Sequence, residues 1–263
     1  MGRPDKMPAM EGFVATTRAL DAIVERAAAG GDRAGYFAAM YRAVTATVAG
    51  RAEAGRFADA ARMERFVGAF AARYLDAEAA WRAGGPVSES WRVAFEASRR
   101  WRPTILQHLL LGINAHINLD LGVTAAELGG PSSLDALRVD FDAVNDVLAE
   151  LVDGCQGALD QVSPWLDWCD RLGGRGDEVL INFSLRRARA QAWSVATRLA
   201  ALDGAARAAT ITAVDEETAR FGRAVAHPGV WPSTVLLAVR LRERAAPRDV
   251  MALLAAVRPP VAA

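Results

Sequence analysis

The 263 residues carry 31 basic and 31 acidic side chains, so the formal net charge at pH 7 is zero. No Lys/Arg run is long enough to form a nucleic-acid stripe or a membrane patch. At 52% hydrophobic and 24% charged, the chain is globular and long enough for one large domain with a buried core.

Lys6 is the one lysine in the sequence, which takes Schiff-base chemistry and a lysine base out of the folded body. Cys155 and Cys169 lack C-x-x-C or zinc-ribbon spacing and sit among apolar residues. They read as buried free thiols in a reducing compartment. The start Met-Gly-Arg-Pro-Asp-Lys has no apolar signal region, and a cytoplasmic protein is expected.

Helical periodicity runs through the chain, and no convincing alternating strand is found. Residues 1–12 read as a flexible start, 13–257 as a single all-α multi-helix bundle and 258–263 as a flexible tail. The first helix spans Phe13 to Ala29 and stops at Gly30-Gly31. Asp32 is placed to cap a second helix, with Phe37, Tyr41, Thr45 and Val48 on one stripe. Phe66, Phe70, Tyr74 and Trp81 form the same pattern on a third, closed by Gly84-Gly85-Pro86. Ser88 opens a fourth, with Trp91 and Phe95 on one face. All of these aromatic stripes are expected to be core.

Pro103 is placed to open a central helix that ends near Gly122, followed by a Gly129–Ser133 loop. Further helices are expected over Leu134 to Leu159, Asp177 to Leu202, Ala205 to Ala226 and Val235 to Val257, the last interrupted at Pro247. Gly173-Gly174-Arg175-Gly176 has no preceding strand and reads as a loop, so no nucleotide or flavin cofactor is expected.

The central helix (about 105–121) carries the chemistry. Leu106 to Leu121 is apolar nearly all the way round, yet holds Gln107, His108, Asn114, His116, Asn118 and Asp120, with no Lys, Arg or Glu. A helix apolar on every side belongs in a core, where polar groups must be paired or used. His116 and Asp120 lie one turn apart, a spacing that lets them share a divalent metal or hydrogen-bond as a dyad. His108 lies about 12 Å further along the axis. Gly112, between them, leaves space for a ligand or a neighbouring helix.

Two readings are open. In one, His116, Asp120 and His108 are catalytic, and Gln107, Asn114, Asn118, Asn145 and Trp193 hold a small, largely apolar substrate. One divalent ion (Zn, Mn, Fe or Mg) would sit on His116, Asp120 and Asp140. Hydrolysis is then the first expectation and a lyase or cyclase reaction the second. In the other, the cluster is a self-satisfied polar core or part of a non-catalytic module that binds an apolar ligand or partner. Neither nucleic acid nor membrane is an expected partner.

Signatures of zinc and di-iron enzymes are missing: there is no H-E-x-x-H, and no histidine has a Glu three residues before it. Asn145-Asp146 with Asp153 loosely resembles the magnesium element of class I terpene synthases, but Ala149 stands where that element has Ser. Asp142 and Asp146 read as a solvated face, and Asp140 beside Phe141 as the inward one. Most of Arg186, Arg187, Arg189 and Arg198 are expected at the surface, as is His227 before Pro228.

The run from Gln107 to Leu121 resembles the signature of an uncharacterised, mainly actinobacterial family of unknown function. Phe37-x-x-x-Tyr41-x-x-x-Thr45, Phe70-x-x-x-Tyr74, Trp91-x-x-x-Phe95, Asp140-Phe141, Asn145 and Ser163-Pro164 extend the resemblance from about Tyr36 to Trp193. It implies an all-helical cytoplasmic protein and carries no reaction, cofactor or substrate.

Overall fold

The computed structural model describes residues 11–163 and 185–258. Cys169, the Gly173–Gly176 loop, the first residues of the helix expected from Asp177, the extreme termini and the side chain of Asp146 lie outside the described residues. Within them the chain is all-helical: ten α-helices and one π-helical segment, with no strand.

In chain order these are α1 (Glu11–Gly30), α2 (Gly35–Glu53), α3 (Ala60–Arg82), α4 (Glu89–Ser98) and α5 (Ile105–Ala115). The π segment (His116–Asp120) and α6 (Leu121–Asp160) follow without a break. Then come α7 (Leu185–Ala200), α8 (Gly204–Ala226), α9 (Val230–Arg240) and α10 (Pro247–Ala256).

The central stretch is the axis of the bundle. α5 packs against α2, α4 and α8, while the π segment packs against α3, α7 and α8. Ile105–Gly130 is long and apolar enough to cross a membrane, but 89% of its most apolar window is buried against the other helices. That burial is compatible with a soluble protein, where such a stretch is a core helix. Gly112 serves helix packing: a Cβ there would meet Cγ of Phe37 at 2.5 Å. Only the missing side chain lets the Phe37 ring lie against α5.

Four boundaries differ from the sequence reading. Pro103 precedes the central helix instead of opening it. Thr104 is the N-cap, in a reciprocal capping box with Gln107. The helix does not stop near Gly122, because its π turn carries it on into α6. The expected Gly129–Ser133 loop shrinks to a kink at Gly130, whose φ of +57° suits glycine. Asp32 does not cap α2: its carboxylate accepts from Ala34 N within the preceding turn (2.9 Å), and the capping position is Ala34. The C-terminal interruption, by contrast, falls where it is expected: α9 and α10 are separated by residues 241–246, and Pro247 opens α10.

Acidic residues distant in sequence close several helix starts, whose first N–H groups have no partner inside the helix. Asp140, fully buried, accepts from Ala58 N (2.6 Å), Asp59 N (3.2 Å) and Arg62 Nη2 (2.7 Å) at the start of α3. Asp215 on α8 accepts from Glu89 N (2.7 Å) and Ser90 N (2.9 Å) at the start of α4. Buried Glu243 accepts from Ile105 N (3.1 Å) at the start of α5 and from the Ser163 hydroxyl (2.6 Å).

Candidate functional site: an aromatic cage around His116

The sequence places His116 and Asp120 one turn apart, and the π geometry keeps them facing. His116 Nδ1 lies 3.0 Å from Asp120 Oδ2. A carboxylate accepts, so the proton is on Nδ1 and the lone pair on Nε2. The same oxygen of Asp120 accepts from Trp91 Nε1 (2.9 Å), which ties α4 to the dyad. A π turn inside an α-helix is uncommon and recurs at functional sites.

Rings from three other helices enclose the imidazole. Phe70 stacks on it face to face, with centroids 3.6 Å apart and planes 9° apart. Tyr41 meets it at 4.7 Å, Phe37 at 5.6 Å, Trp91 at 6.0 Å and Tyr74 at 6.3 Å. His116 is 2% exposed and Tyr74 1%.

Three buried polar atoms on these side chains have no hydrogen-bond partner: His116 Nε2 and the hydroxyls of Tyr41 and Tyr74. Each such atom in a core costs about 1–3 kcal/mol of lost solvation, and buried polar atoms are nearly always paired. Three belong to the cage, and the nitrogens of buried His108 depart from the rule as well.

Burial holds the His116 imidazole below the ordinary histidine range. The hydrogen bond and charge of Asp120 oppose the shift, and the charge of Arg73 adds to it. The ring is therefore neutral near pH 7, in its base form. Burial also pushes the Tyr41 and Tyr74 phenols above the usual tyrosine range, with Asp120 adding at Tyr41 and Glu78 at Tyr74. Both stay protonated as hydrogen-bond donors. The arrangement can take a proton at Nε2 and hold the resulting imidazolium against Asp120.

His108, on the same helix, lies in other company. Its ring meets Tyr36 edge-on at 5.8 Å. Neither of its nitrogens makes a hydrogen bond of normal geometry. Burial, then the charges of Arg33 and Arg240, push its pKa down to about 3, with the Pro103 carbonyl opposing.

The other residues singled out from sequence are engaged elsewhere. Gln107 Oε1 accepts from Thr104 N (3.0 Å) and its Nε2 donates to Val225 O (2.7 Å), joining α5 to α8. Asn114 Nδ2 donates to Thr218 O (2.9 Å), and its Oδ1 accepts from Asn118 Nδ2 (2.8 Å). Asn145 accepts from the Nε of buried Arg189 (2.6 Å), an arginine at odds with the expected surface face. Trp193 is buried against Phe141 under the Arg138 guanidinium. Asp142 is exposed as expected, paired with Arg138. Cys155 is a free thiol whose pKa burial raises to about 11.

The divalent ion anticipated on His116, Asp120 and Asp140 does not fit this donor set. Asp140 is taken up by the α3 start and Arg62, and His116 Nδ1 by Asp120. Among the described residues no three His, Cys, Asp or Glu side chains gather to hold a metal.

Tyr41, Tyr74 and Trp91 complete the cage and were read from sequence only as core. The available signal was the hydroxyl: Tyr stands at two positions of otherwise apolar stripes where Phe would pack as well.

No curated protein and no solved structure matches the chain significantly. Residues 14–228 match the family of unknown function DUF5995, and the chain belongs to that family.

Proposed function

We propose that the chain is an enzyme that uses His116 as a general base on a small, largely apolar organic molecule. One observation carries this reading: three unpaired polar atoms, one acceptor and two donors, belong to side chains whose rings meet in one buried cage. In the proposed reaction Nε2 removes a proton from the substrate and Asp120 stabilises the imidazolium. Tyr41 and Tyr74 donate to the oxygen on which charge develops. The aromatic wall selects an apolar body and excludes water.

Between the two reaction classes expected from sequence, the cage favours the lyase type. The side chains around the imidazole are phenols and apolar rings, which can supply donors to a carbonyl oxygen and no nucleophile. Proton removal beside a carbonyl, followed by return of that proton from Nε2 to the departing β-oxygen, gives elimination with loss of water and needs no nucleophile from the protein. Hydrolysis would need a water brought to Nε2. The reading places the protein in the cytoplasm with a small metabolite, not a nucleic acid or a membrane, as its partner.

The test is hydrogen–deuterium exchange of small cyclic ketones and β-hydroxy ketones in D2O, followed by NMR. The wild type is run beside His116→Gln and Tyr74→Phe, with folding checked by circular dichroism. Catalysed exchange or elimination that falls by about 10²–10⁴-fold in His116→Gln is the expected result. Wild-type rates in a folded His116→Gln variant would overturn the proposal. So would stoichiometric binding of such a molecule with no exchange, which would make the chain a binding module.

A further inference from the structure

A concave site lies at the surface, built from residues that the His116 cage does not use. It forms where the α4–α5 connection meets the α8–α9 turn and the body of α9, and encloses about 490 Å³. That volume falls within the range of small-molecule pockets. Arg100, Arg102 and His227 line it from exposed positions, and Pro103, Leu236 and Leu237 supply apolar surface. Trp101 adds an aromatic ring, half exposed at 48%.

Charge in this cleft is one-sided. Its lining includes two arginines and a histidine and no Asp or Glu. Arg100 Nη1 donates to His227 Nε2 (3.0 Å), which bridges the two walls and holds one guanidinium in place. Among the described residues no carboxylate pairs with Arg102. Two guanidiniums beside a low-dielectric wall concentrate positive potential, which draws anions into the cleft. Their planar donor forks match carboxylate and phosphate oxygens.

The framework around the cleft is fixed. Gln107, at its inner side, is held by Thr104 and Val225. The Trp101 carbonyl accepts from Arg240 Nε (2.8 Å). The arginines therefore stand on braced backbone beside a formed apolar wall, which lowers the ordering cost of binding.

We infer that this cleft binds a small organic acid, its carboxylate or phosphate on Arg100 and Arg102 and its apolar body along Pro103, Leu236 and Leu237. This site is independent of the His116 cage and of the reaction proposed for it.

The experiment is isothermal titration calorimetry of the full chain with octanoate and octyl phosphate, with octan-1-ol and octyltrimethylammonium as controls. Saturable 1:1 binding of the acids is expected, with the alcohol and the cation at least about tenfold weaker. Arg102→Gln and Arg100→Gln should each weaken the acids by about tenfold, and Trp101 fluorescence should respond in step. No saturation by about 10 mM acid would overturn the inference. Equal affinity in the arginine variants, or association with anionic vesicles but not with monomeric acid, would overturn it too. None of these outcomes bears on His116 turnover, so the two proposals fail separately.

Discussion

His116 and His108 share one helix and one degree of burial, yet their surroundings make opposite use of them. His116 has an anchored nitrogen, with Nδ1 on Asp120, and a bare one enclosed by phenols and rings. His108 has two nitrogens without a hydrogen bond of normal geometry, and the charges of Arg33 and Arg240 add to burial, the larger cause, in disfavouring its protonation. The first imidazole is oriented and can take a proton against a waiting carboxylate. The second would gain a third positive charge among guanidiniums. Burial by itself lowers both pKa values; the partner decides which ring can serve as a base.

The largest effect that would break this comparison lies at Asp120. Asp120→Ala strands Trp91 Nε1 and His116 Nδ1 in the core and should cost about 3 kcal/mol in urea unfolding. His108→Leu removes a ring with no hydrogen bond of normal geometry and should stay within about 1 kcal/mol of wild type. Equal losses in the two variants would erase the distinction.

A smaller effect sharpens it by pH. A histidine whose folded pKa is depressed binds its proton first in the unfolded chain, so its contribution is complete above pH 6.5 and is lost as the pH falls. For His108 the window runs from about 6.5 down to about 3. Within it the slope is up to about 1.4 kcal/mol per pH unit. His108→Leu should therefore flatten the stability–pH profile between pH 6 and about 4 by close to one proton. An unchanged slope would mean that the folded state protonates His108 as readily as the unfolded one.

The smallest effect is spectroscopic. Nitrogen-15 NMR of the imidazoles should show His116 as the Nδ1–H tautomer near neutral pH, converting to a tautomer mixture in Asp120→Ala. An Nε2–H tautomer in the wild type would contradict the donor assignment at Asp120.

Much of the fold was legible because helix formation is written locally. The stripes Phe37/Tyr41/Thr45 and Phe66/Phe70/Tyr74 recur at helical spacing, residues 13–29 and 205–226 lie on helices within a few residues of the expected ends, and Ser88 caps the fourth helix. Asp140 beside Phe141 read as inward and is fully buried. Reading Gln107, Asn114 and Asn145 as substrate contacts rested on their being polar in an apolar setting. That pattern is shared by helix–helix locks, and Gln107 and Asn114 are committed to α8 and Asn145 to Arg189.

The sequence by itself determined the helices, the buried central stretch and the one-turn spacing of His116 and Asp120. Each of these depends on residues within a few turns of one another. Tertiary structure decided which polar groups are spent and which are left unpaired. Asp140, Asp215 and Glu243 reach helix starts 81 to 138 residues away. Tyr41, Tyr74 and Trp91 arrive at His116 from three separate helices. No local period encodes such meetings, because they depend on how whole helices pack and on where a missing side chain, as at Gly112, lets a ring come close.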